Sequence, residues 1–200
     1  MEVIVKAPAG ASLEKIKVII RKKAPWILKQ QSFFLAFHPK TPARRFVSGE
    51  THLYMGRQYK LKIIKGKKND IHFKAREIQI HIKPNSLAKK VLNEWYRERA
   101  KIKFAEIAEP IIQKFKKYKV EPKIIFLQEM PSRWGSCTPK GKIILNPELI
   151  KAPKACIEYV IIHELCHLVH KNHSEKFFNL QNKEMPDWEK WKNKLENLLA

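Results

Sequence analysis

Between Glu50 and Lys83 apolar and polar residues alternate, whereas on both sides of that stretch apolar residues recur at threes and fours. The alternation runs through HLYMGRQYKLKII, breaks at the polar KGKKND, and resumes in IHFKA and EIQIHIK. A period of two sends successive side chains to opposite faces of a strand, so this part predicts a small antiparallel sheet. Before it, EVIVK (2–6) predicts a short strand ended by an APAG turn, and Ser12 is placed to cap a helix over LEKIKVIIRKK. Pro25 predicts a break, followed by a second short helix, PWILKQQSFFLAF, in which Trp26 and the Phe33/Phe34 pair are available for packing; HPKTPARR (38–45) predicts a loop.

Pro84, Asn85 and Ser86 interrupt the alternation and mark the expected boundary between a β-rich region with short helices (1–84) and a second domain (85–200). The longest helical pattern follows. Val91, Leu92, Trp95, Tyr96, Ile102, Ile107, Ile111, Ile112 and Phe115 form its apolar stripe, with Pro110 as a candidate bend. Then KIIFLQ (123–128) and GKIILN (141–146) predict two strands flanking an MPSRWGSCTPK connection. Together these elements predict an α+β protein.

Composition narrows the class. At 200 residues, with 44% hydrophobic and 30% charged, the chain can bury a sizeable core and is not of the disordered type. No apolar stretch approaches the ~20 residues that span a bilayer, and MEVIVKAPAG lacks the apolar segment of a signal peptide, so the expected location is the cytoplasm. Cys137, Cys156 and Cys166 are odd in number and show no CxxC spacing, which speaks against a disulfide framework or a thiolate zinc knuckle.

Charge adds one asymmetry. The chain carries +22 overall, but from Ile157 onward six lysines meet seven carboxylates, leaving +23 on residues 1–156. Such a field attracts polyanions, so a nucleic acid or nucleotide is a possible partner; a solvated lysine-rich surface has the same composition.

The chemistry concentrates in YVIIHELCHLVHKNHSEKFF (159–178), where His163, His167, His170 and His173 fall within eleven residues. Residues four apart on a helix lie on one face about 6 Å apart along the axis, so His163 and His167 can direct both imidazoles at one ion. Glu164, about 100° round the helix, can reach a water on that ion and accept its proton. This is the logic of HExxH, and the flanking apolar residues imply a buried helix that keeps the imidazoles neutral. An accidental HExxH is expected in roughly one chain of this length in two hundred, so the motif is specific.

A third ligand is less determined. His170 shares the face, but seven helical residues separate it from His163 by about 10 Å along the axis. His173 reaches the ion only if the helix stops, and Lys171-Asn172 offers a stop because Asn tolerates the left-handed conformation. His173 is therefore favoured, with Glu175 or Glu184 as carboxylate alternatives. Cys166 reads as a small buried hydrophobe, and His72 and His81, alternating with apolar residues, as surface or edge histidines.

SRWGSCTPKGKIILNPELIKAP followed by YVIIHELCHLVHKNHSEKFF resembles the YgjP-like metallopeptidase family, distantly akin to SprT-like and other zincins. The motifs are RWGSC (133–137), Asn146-Pro147, HELCH, and NHS followed by Phe177 and Phe178; a weaker likeness runs over most of the chain. The resemblance implies a zincin-like domain behind the β-rich front part, zinc on His163, His167 and His173, and Glu164 as general base. The family typically has Trp where this chain has Phe178. By the same analogy an extended peptide pairs with a strand beside the active-site helix, GKIILN being the candidate, and Arg133 and Trp134 line the cleft.

The resulting expectation is a zinc-dependent metallopeptidase in which Glu164 activates water against a peptide bond of a peptide or protein substrate. Two alternatives stand beside it: hydrolysis of a nucleotide phosphoanhydride gathered by the basic region, and a non-enzymatic nucleic-acid adaptor with structural zinc. A structural site closes with four protein ligands, so a count of ligands separates the adaptor from the enzymes.

Overall fold

The computed structural model describes residues 3–35, 44–83, 87–131 and 133–199. The chain divides into two compact units, Met1–Pro42 and Ala43–Leu199. In the first, Val3–Lys6 forms no strand, and α1 (Leu13–Leu35) runs unbroken with Pro25 inside it. Proline removes one hydrogen bond but leaves the turns on either side intact, so the two expected helices are one. The carbonyl of Ser12 accepts from Ile16 N–H at 3.1 Å, placing Ser12 at the expected cap position. The side chains of Phe33 and Phe34, the segment 36–43 and the 84–86 boundary lie outside the described residues.

The second unit starts with β1 (Thr51–Tyr54), β2 (Arg57–Lys65), β3 (Asp70–Lys74) and β4 (Glu77–Ile82), in the order β1-β2-β4-β3. HLYMGRQYKLKII thus folds as a hairpin, turning at Met55 (φ 49°) and Gly56 (φ 77°). A two-residue turn with both φ positive matches the twist of paired strands, but its usual signal is Asn-Gly, and Met hides it. Gly56 is required for a second reason: a Cβ there would stand 2.7 Å from Pro153 Cγ. The hairpin tip docks by its backbone, Met55 N–H donating to Ile150 O at 2.8 Å and Gly56 N–H to Lys151 O at 3.0 Å.

The sheet is mixed, not wholly antiparallel as expected, because β2 and β4 pair in parallel. Ile78 and Ile80 of β4 are fully buried, and a strand with that much apolar surface is best placed between two neighbours, which sends β3 to the edge. The sheet's inner face packs on α2 (Ala88–Phe115), where Tyr96 Oη donates to Leu53 O at 2.6 Å. Leu92, Tyr96, Ala100, Phe104, Ile107, Ala108 and Phe115 form the buried stripe of α2. Ile102, expected within it, is 47% exposed, because two residues from Ala100 is about 200° round the helix.

Beyond α2 come β5 (Ile124–Leu127), β6 (Gly135–Cys137) and β7 (Lys142–Leu145), ordered β5-β7-β6. β6 lies within what reads in sequence as a plain connection. It also moves GKIILN to the middle of the sheet, with β5 parallel on one side and β6 antiparallel on the other, so that β6 is the edge beside the next helix. Asn146 holds this arrangement: its side chain, 4% exposed, donates to Met130 O and Arg133 O at 2.9 and 3.1 Å and accepts from Glu148 N–H. A short 3₁₀ turn (Pro147–Lys151) then leads into α3 (Lys154–Val169), which packs against α2, β6, α4 (Glu175–Glu184) and α5 (Trp188–Leu199). The α+β class is what the sequence predicts; the compact unit takes in both sides of residue 84. Among the described residues no helix is long and apolar enough to cross a membrane.

Candidate metal centre

α3 is buried along Ile157, Val160, Ile161 and Leu165, leaving His163 and His167 half-exposed on one side, their ring centroids 5.0 Å apart. The helix ends at Val169, earlier than Lys171-Asn172. His170 is extended (φ −128°, ψ 110°), its N–H still donating to Cys166 O at 2.8 Å. No left-handed residue is needed to turn the chain; one extended residue redirects it so that His173 comes back over the helix.

There His173 lies 5.0 Å from His163 and 4.7 Å from His167, ring to ring. One nitrogen from each of the three lies within 4.8 Å of the others, and no further His, Cys, Asp or Glu joins the group among the described residues. His163 Nε2 and His173 Nε2 are 3.1 Å apart. Two nitrogens bound tetrahedrally at ~2.0–2.1 Å stand roughly 3.3 Å apart, so the spacing fits a divalent ion of zinc's type. Phe177, fully buried, touches all three rings at 4.6–5.0 Å and forms the floor.

The remaining ring nitrogens are tied. His163 Nδ1–H donates to Gln181 Oε1 at 2.8 Å, and His167 Nδ1–H to the His170 carbonyl at 3.3 Å, which leaves both Nε2 lone pairs facing the centre. His170 thus meets the site through its backbone, not as a third imidazole. Burial pushes the His163 pKa down to about 4, Gln181 only partly offsetting it. Burial and then the neighbouring His173 lower that of His167. Both are neutral donors at pH 7.

Glu164 is 5% exposed, and burial pushes its carboxyl up to about 7 against the nearby Arg133 charge and a hydrogen bond from Cys137 N–H. β6 closes on it: a Cβ on Gly135 would stand 2.6 Å from Glu164 Oε1. A cleft of about 630 Å³ opens here, lined by the imidazoles, Glu164, Arg133, Trp134, the β6 backbone, Tyr159 and Lys171. A carboxyl poised near neutrality beside three imidazoles can accept and release a proton at the mouth of a cleft.

The other sequence candidates lie elsewhere. Glu175 is exposed at the start of α4, and Glu184 is bound by Lys114 at 3.0 Å and Lys117 at 2.8 Å. His72 and His81 face each other on the sheet at 5.4 Å, His72 beside Asp70. Cys166 is fully buried, its thiol pushed up to about 12, as a small hydrophobe would be. Ser132 lies outside the described residues. Sequence reasoning missed Gln181 altogether. Its signal was there: Phe177, Gln181 and Glu184 recur at four and three on a helix, which puts a polar amide in an apolar stripe.

Comparison with known proteins gives one family and several solved structures. The family model described as "YgjP-like, metallopeptidase domain" matches residues 1–198. Among solved structures, the metallopeptidase zymogen of Pyrococcus abyssi abylysin is 19% identical, covering 46% of this chain and 94% of that one at a TM-score of 0.41. That of Methanocaldococcus jannaschii jannalysin is 21% identical, covering 48% and 97% at 0.42. No curated protein matches.

Proposed function

Because the chain belongs to the YgjP-like metallopeptidase family, a group of hydrolases that act on peptide bonds, we propose that its reaction centre is His163, His167 and His173 with Glu164. The three imidazoles would hold a divalent ion, zinc by the chemistry of an all-nitrogen donor set. When bound, such an ion supplies Lewis acidity to the scissile carbonyl and to water. The observation that carries the reading is the convergence of three ligand nitrogens within 4.8 Å beside a buried carboxyl, with no fourth protein ligand in the group among the described residues.

The residues divide the work. Glu164 takes a proton from the attacking water and delivers it to the leaving amine, a role suited to a pKa near 7. Gln181 and the His170 carbonyl hold the imidazoles in the tautomer that presents Nε2. The outer edge of β6, not GKIILN, is the strand along which an extended substrate can add its own backbone hydrogen bonds.

The test uses purified wild type and Glu164→Gln, both loaded with zinc and measured for bound metal, on a peptide library and a nucleoside triphosphate panel. We expect equal metal content and a loss of peptide hydrolysis of roughly 10²–10⁴-fold in the variant. Equal turnover by both proteins removes Glu164 from the mechanism, and turnover confined to the triphosphates replaces peptide hydrolysis with phosphoanhydride chemistry.

A further inference from the structure

We propose that the cleft selects peptide segments carrying acidic side chains next to the scissile bond, through the paired action of Arg133 and Lys171. This rests on the peptidase reading and names the class of substrate for it. Among the described residues that line the cleft, Arg133 and Lys171 are the cations and Glu164 is the one carboxylate. Glu164 is almost wholly buried, whereas Arg133 and Lys171 are both exposed. What a substrate side chain meets at the rim is therefore positive.

The two cations come from separate elements. Arg133 stands in the loop before β6, held by the Asn146 hydrogen bond to its carbonyl, and its charge bears on Glu164. Lys171 stands in the turn between α3 and His173. Neither forms an ion pair with a carboxylate among the described residues, where ten carboxylates are paired with lysines. An unpaired guanidinium is free to take a carboxylate with two parallel hydrogen bonds. A divalent ion held by the three imidazoles would add positive charge to the same cleft, repelling basic side chains as it draws acidic ones in.

Exposed pairs of this kind each shift an equilibrium about two- to fivefold, so the two together amount to roughly tenfold. The experiment takes zinc-loaded full-length protein and peptides identical except for Asp, Asn or Lys at the positions flanking the cleaved bond. Expected is a kcat/KM order of Asp over Asn over Lys, with an Asp/Asn ratio of about ten at low ionic strength. The ratio falls toward one at about 1 M salt, where the screening length is ~3 Å. In the Arg133→Gln/Lys171→Gln protein it falls to near one without added salt. Lys60→Gln/Lys62→Gln, on the open face of the sheet, leaves the ratio unchanged, which separates the cleft from the general basicity of the chain.

A second arm needs no turnover: anisotropy of labelled Asp and Asn peptides on Glu164→Gln, with and without the two cleft substitutions, reads the same preference as binding. Peptides cut without an acidic preference overturn this inference and leave the peptidase reading intact. Hydrolysis of nucleoside triphosphates but of no peptide overturns both. Should nothing turn over, an Asp preference in binding that disappears with Arg133 and Lys171 supports the inference, and its absence overturns it.

Discussion

Gly135 presses its backbone onto the carboxyl of Glu164: a Cβ at position 135 would stand 2.6 Å from Oε1, 2.9 Å from Cγ, and 2.8 Å from Val160 Cγ1. The contact explains why the SRWGSC run has glycine at the start of β6. It also means that the strand and the carboxyl are positioned by each other, since Cys137 N–H, two residues on, bonds the same carboxylate.

Gly135→Ala is therefore expected to cost about 1–3 kcal/mol of stability, as overpacking in a rigid site does, and to abolish hydrolysis by displacing Glu164. Thermal unfolding and peptide turnover check it. A variant with wild-type Tm and activity would mean that β6 can move away freely.

Histidine substitutions should split by role. His173→Ala loses metal affinity by more than the 10–100-fold typical of losing an outer-shell partner, whereas His170→Ala keeps its metal, because His170 contributes a backbone carbonyl that alanine retains. Metal titration of the two proteins distinguishes them.

Gln181→Met keeps the volume of a fully buried side chain and removes the acceptor of His163 Nδ1–H. Metal affinity should fall about 10–100-fold with little change in the fold. Circular dichroism together with metal titration tests the pairing of those outcomes.

Glu184 yields a pH prediction. Burial raises its pKa, but hydrogen bonds from Lys117, Tyr118 and Lys114 outweigh that and hold it down at about 2 against an ordinary 4.5. A depressed carboxyl stabilises the fold above its unfolded value and loses that contribution as pH falls through the folded one. Stability should thus drop by about 3 kcal/mol between pH 4.5 and 2, and Glu184→Gln should flatten this segment of the curve. Denaturant unfolding at a series of pH values measures it.

Parts of the fold were open to sequence reasoning in unequal measure. The stripe of α2 was legible because Leu92, Tyr96 and Phe115 repeat with the helix's own period. The hairpin at Met55-Gly56 was not, since Met carries no turn signal, nor was β6, whose three residues are too short for a period to appear. The unbroken α1 shows the converse error, in which a local signal, Pro25, counted for more than the turns around it.

By itself the sequence determined that His163, Glu164 and His167 share one region of a buried helix, because a spacing of four is a distance once the helix forms. Only the tertiary structure decided that His170 bends away, that His173 closes on the pair, that Gln181 stands behind His163, and that β6 rather than β7 borders the cleft. Helical spacing is set by backbone hydrogen bonds between neighbours. The order of strands and the return of a chain are set by which apolar faces, far apart in sequence, can be buried together.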